Sequence, residues 1–96
     1  VSWDTEQEDR ESVVERQAAL DFAESRGWWQ AKFVSPSKRG VPDRIFIRKG
    51  RVVFIEFKRR GKEATTQQKK RHREMRAHGA EVYVVDNLAE AKRILA

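Results

Sequence analysis

Two apolar runs, Val41–Ile47 and Val52–Lys58, stand on either side of Arg48-Lys49-Gly50-Arg51, and this spacing constrains the fold more than any other feature. Glycine tolerates positive φ, so a tight turn with Lys49 and Gly50 at its tip predicts a β-hairpin. In that register, Ile47 faces Val52, Ile45 faces Phe54 and Asp43 faces Glu56. A bulge of one residue would turn Asp43 to the other face.

The second run reads VVFIEFK. Side chains alternate along a strand, so Glu56 and Lys58 point the same way. Charge within an apolar strand is costly unless it is paired or holds a metal. Directly opposed residues such as Asp43 and Glu56 have Cβ atoms roughly 4.5–5.5 Å apart. Two carboxylates at that distance repel unless a proton or a cation lies between them. A hard divalent cation with oxygen ligands is the natural occupant.

The chain has 96 residues, enough for one small core. It contains no cysteine, which excludes disulfides and thiolate metal sites and fits an intracellular protein. No apolar run is long enough to span a membrane. The net charge of +6 understates how basic most of the chain is. Six acids and one base fall within residues 1–15, leaving nine acids against twenty bases elsewhere. Such a field draws polyanions, above all nucleic acid.

Residues 1–10 read as an acidic N-terminal tail, and residues 11–96 as one domain. Glu11–Arg26 reads as a helix with Val14, Ala18 and Phe22 as its apolar stripe, stopped by Gly27. Trp28–Val34 reads as a strand, with Trp28 and Trp29 assigned to core or interface rather than to base stacking. Ser35–Gly40 and Arg59–Glu63 are basic loops on either side of the hairpin. Thr65 or Thr66 caps a helix that runs to His78 and is ended by Gly79. Glu81–Asp86 is an apolar strand, and Leu88–Leu95 a closing helix. The predicted order is α-β-β-β-α-β-α, an α/β fold with a mixed four-stranded sheet flanked by helices.

The helix after Thr65 is almost without apolar residues. Gln68, His72 and Met75 follow helical spacing and mark its inward stripe, while Lys69, Lys70, Arg73 and Arg76 face outward or flank it. A helix of that kind suits the side of a phosphate backbone.

Asp43, twelve further residues and then Glu56-Phe57-Lys58 resemble the PD-(D/E)XK nuclease signature. The segments SPSKRGVPDRIFI, GRVVFIEFKR, Gln68-x-x-x-His72 and HGAEVYVVD resemble the VRR-type nuclease domain in its stand-alone phage form. Glu11-x-x-x-Glu15 is similar to the leading helix of that family, so the resemblance covers residues 11–95. It implies a restriction-endonuclease-like core. It also implies a site in which Asp43, Glu56 and the Phe57 carbonyl bind Mg²⁺ or Mn²⁺. Lys58 orients or deprotonates the attacking water and offsets charge on the phosphoryl group. A glutamate of the first helix completes the acidic cluster, with Glu11 preferred and Glu15 as second choice. Gln68 positions water or phosphate. His72 is read as a packed helix residue with no chemical step.

Lys38, Arg39, Arg44, Arg59, Arg60, Lys62, Lys69, Lys70 and Arg73 are the expected phosphate contacts. The resemblance extends to Holliday-junction resolvases, which implies a homodimer cutting branched or four-way-junction DNA, as a phage or prophage protein in a bacterial cytoplasm. The competing readings are a monomeric flap or nicking nuclease and a DNA-binding module without catalysis.

Overall fold

The computed structural model describes residues 11–96; the expected acidic tail, residues 1–10, lies outside them. The first helix starts as an α-helix, α1 (Glu11–Arg16), and continues directly as a π-helical stretch, Gln17–Ala23. Strands β1 (Trp29–Lys32), β2 (Arg44–Arg48) and β3 (Arg51–Phe57) follow. Helix α2 (Thr66–Ala77), strand β4 (Glu81–Val85) and helix α3 (Leu88–Leu95) complete the order expected from sequence.

The four strands form one mixed sheet in the order β1-β2-β3-β4. The first two pairings are antiparallel, and β3 and β4 are parallel, with α2 in the crossover that a parallel pair requires. The hairpin has the expected register, with Ile47 opposite Val52 and Ile45 opposite Phe54. Lys49 and Gly50 both take positive φ, +48° and +84°, the requirement of a two-residue turn that follows the twist of the strands.

That register decides which side chains share a face. Phe46, Val53, Ile55 and Phe57 point to one side, where Val14, Ala18, Ala19 and Ala23 of the first helix and Ala91, Ile94 and Leu95 of α3 cover them. Trp28 joins this core and donates its indole N–H to the Leu95 carbonyl at 2.9 Å, while Trp29 remains exposed. Glu56 and Phe54 lie on the opposite face, where Phe54 packs against Phe33 and Glu56 faces His72 of α2.

The first helix departs from the expected stripe. Its π-helical stretch, with hydrogen bonds reaching one residue further than in an α-helix, turns more residues inward per turn. Ala19 and Ala23 are therefore buried, and Phe22 only borders the core, held beneath Arg26 at 4.8 Å from its ring centroid. Strand β1 is also shorter than the expected Trp28–Val34: Trp28, buried in the core, precedes it, and Phe33 and Val34 follow its last residue.

Candidate active site

Asp43 ends the loop that leads into β2, and the turn chemistry of Pro42-Asp43 places it one residue before the ladder begins. Its Oδ2 accepts the main-chain N–H of Phe57 at 2.8 Å. This bond ties the start of β2 to the end of β3, which is where the extended register puts Asp43 beside Glu56. The Asp43 carboxyl lies beside that of Glu56.

Glu56 is 2% exposed. Burial and then the neighbouring Asp43 carboxyl push its pKa up to about 8. Lys58, on the same face and partly exposed, acts in the other direction on Glu56. Glu56 senses the charges of Asp43, Lys58 and Glu11. Glu11, at the start of α1, has its own pKa raised, first by burial and then by Asp43.

Glu15 has a different role from Glu11. Its carboxylate binds Arg44 Nε at 2.7 Å, and both side chains are largely buried. Arg44 also donates to Gln30 Oε1 at 2.6 Å, so its guanidinium links α1 to β1 and β2. Sequence spacing alone gave no sign of this pairing, which depends on Arg44 facing α1 across from Ile55.

Gln68 serves the helix end. Thr65 is the N-cap: its hydroxyl accepts the Gln68 N–H at 3.1 Å, and Gln68 Oε1 accepts the Thr65 N–H at 2.8 Å. This reciprocal capping box occupies the amide oxygen of Gln68 and leaves its Nε2–H₂ donors. One turn on, His72 is the buried residue of α2. Its Nε2 lies 3.7 Å from Glu56 Oε1, and burial pushes its pKa below the ordinary value.

The remaining expected cations surround this centre. Arg59 shares a cleft with Glu11, Ser12 and Glu15. A second open cleft of about 450 Å³ lies between the 59–65 loop, α2 and β4, where Lys62, Lys69, Arg73 and Arg76 face Glu63 and Asp86. Lys69 is 3.9 Å from Glu63, and Arg76 donates twice to the Val82 carbonyl. Arg60 acts electrostatically on Asp86. Lys38, Arg39 and Lys70 are exposed.

The donor set fits a hard divalent cation. Two juxtaposed carboxylates repel, which a cation would relieve, and Phe57 brings a main-chain carbonyl to the same strand end. Among the described residues, no group of three or more His, Cys, Asp or Glu side chains is gathered as a metal cluster. Two carboxylates suffice for Mg²⁺, which keeps several waters and binds substrate phosphate directly.

No protein-family model matches the sequence. Over 57 residues the chain is 42% identical to "Putative nuclease p44" of Acyrthosiphon pisum secondary endosymbiont phage 1, a match covering 58% of this chain and 61% of that protein. The chain thus spans less than two thirds of this relative. A solved structure described as a VRR_NUC domain superposes with a TM-score of 0.78 at 26% identity, covering 88% of this chain and 91% of its own.

Proposed function

We propose that this chain, a VRR-NUC-type domain by fold, is a divalent-metal-dependent endonuclease that hydrolyses phosphodiesters in branched DNA. The observation that carries this reading is the buried Glu56 carboxyl set against Asp43 with Lys58 alongside. Asp43, Glu56 and the Phe57 carbonyl would hold Mg²⁺ or Mn²⁺, with Glu11 completing the acidic surroundings. The ion, when bound, would supply Lewis-acid polarisation of the phosphoryl oxygens and an activated water.

Each residue then has a definite task. Asp43 fixes the end of β3 through the Phe57 N–H and would offer its other oxygen to the ion. Lys58 orients the attacking water and offsets the charge gathering on the phosphoryl oxygens. The free Nε2–H₂ of Gln68 donates to phosphate or water. Arg39, Arg59, Arg60, Lys62, Lys69, Lys70 and Arg73, with Lys38, meet the DNA backbone as point charges.

Four-way-junction DNA held by a homodimer is the specific substrate we favour. Resolution of a junction needs two cuts, and a two-fold dimer supplies two sites. Exposed Trp29 on edge strand β1 and exposed Val34 beyond it supply apolar surface for such a partner. No helix among the described residues is long and apolar enough to cross a membrane. The phage relative supports action in a bacterial host cell.

The decisive experiment incubates the protein with four-way, flap, splayed and linear DNA in Mg²⁺, Mn²⁺ and EDTA. Cleavage restricted to branched DNA and abolished by EDTA is expected. Equal cutting of linear duplex removes the structure selectivity, and undiminished cutting in EDTA removes the metal. Preference for flaps by a protein that elutes as a monomer favours the flap-nuclease reading.

A further inference from the structure

Helix α2 lies against Glu56 and, separately, against the Arg39–Gly40 backbone that leads to Asp43. His72 is 1% exposed and lies against the backbone of Gly40. Its Nε2 lies 3.7 Å from Glu56 Oε1, and both of these buried atoms lack a hydrogen-bond partner. The neighbouring Arg71 donates its Nε–H to the Arg39 carbonyl at 2.8 Å. Gly40 itself sits at φ +82°, and a Cβ there would come within 2.8 Å of the Gln67 carbonyl oxygen. Only glycine permits so close an approach of loop to helix. Three residues after Gly40 the chain reaches Asp43.

We propose that His72 is a positioning residue that packs against the Gly40 backbone and against Glu56 from one helix, and so sets the spacing of Asp43 and Glu56 for a single divalent cation. The inference rests on the reading of those two carboxylates as metal ligands. A side chain that merely filled space would be apolar here. Each buried polar atom left without a partner costs about 1–3 kcal/mol, and an unsatisfied pair in a native core calls for a reason. The 3.7 Å separation lies beyond hydrogen-bond range, and a movement of about half an ångström closes it. The imidazole therefore serves as a stop against which Glu56 Oε1 comes to rest.

The test is Mn²⁺ binding by titration calorimetry, with no DNA present and thermal melting alongside. His72→Leu keeps the packing and removes both polar functions. His72→Asn keeps a polar amide beside Gly40 and removes the atom facing Glu56. Glu56→Gln and Asp43→Asn serve as references. The expected result is a loss of about 10–100-fold in Mn²⁺ affinity for His72→Leu, a smaller loss for His72→Asn, and no measurable binding for either reference. Affinity for His72→Leu within about twofold of the unaltered protein, with neither reference binding Mn²⁺, overturns the positioning role alone. Binding that survives in both references overturns the metal assignment beneath it. Should His72→Leu fail to fold, Gly40→Ala loosens the same route from the loop side. It should weaken Mn²⁺ binding while helical circular dichroism persists, and unaltered affinity there overturns the proposal equally.

Discussion

Asp43 Oδ2 accepts the Phe57 N–H at 2.8 Å, so the residue before β2 fastens the last residue of β3. One carboxylate is therefore both a strand tie and half of the acidic pair with Glu56. These two duties can be separated by substitution. Asp43→Asn keeps an acceptor for Phe57, and Asp43→Ala orphans it. Both should abolish cleavage and leave DNA binding nearly intact, but Asp43→Ala should also lose about 1–3 kcal/mol of stability. Cleavage assays, gel shifts and urea unfolding separate the outcomes.

Lys58→Ala should slow cleavage by about 10²–10⁴-fold, with Mn²⁺ affinity nearly unchanged. Single-turnover kinetics and metal titration measure the two quantities independently. Loss of metal binding in this variant would place the lysine in folding rather than in the chemical step.

The raised pKa of Glu56 makes the metal-free protein sensitive to pH. Its folded value of about 8 lies above the ordinary 4.5, so the native state retains a proton that the unfolded chain has released. Stability from this group is full below the unfolded value and falls as pH rises toward the folded one. His72 works in the opposite sense at low pH, because its lowered pKa favours the native state only while it is neutral. Between about pH 6.5 and 8 the Glu56 effect should dominate. In EDTA, urea midpoints should decline across that window, and the decline should flatten in Glu56→Gln. A slope equal in both proteins removes Glu56 as its source.

Glu11 and Glu15 should separate by phenotype. Glu15→Ala leaves the Arg44 guanidinium short of its carboxylate in a largely buried place and should cost about 3 kcal/mol, with a modest loss of cleavage. Glu11→Ala should lower cleavage with little effect on the melting temperature. The reverse pattern would exchange the two roles.

Thr65→Ala and Gln68→Ala each break the capping box and should destabilise α2 by about 1 kcal/mol. If the remaining donors of Gln68 reach substrate, Gln68→Ala should cut more slowly than Thr65→Ala at matched stability. Equal rates would confine Gln68 to the helix end.

The hairpin register, the placement of Asp43 beside Glu56 and the order of strands and helices were legible in the sequence. Each follows from a local rule: the alternation of faces, the conformational freedom of Gly50 and the length of chain between apolar runs. The pairing of Glu15 with Arg44, the inward Ala19 and Ala23, and the contact of His72 with Glu56 and Gly40 were not. Those depend on how a helix is rotated and docked against a sheet, which is fixed by packing among residues distant in the chain. A short periodic pattern cannot encode a π-helical turn or the partner of a buried imidazole, because both are chosen by the surface that the rest of the chain presents.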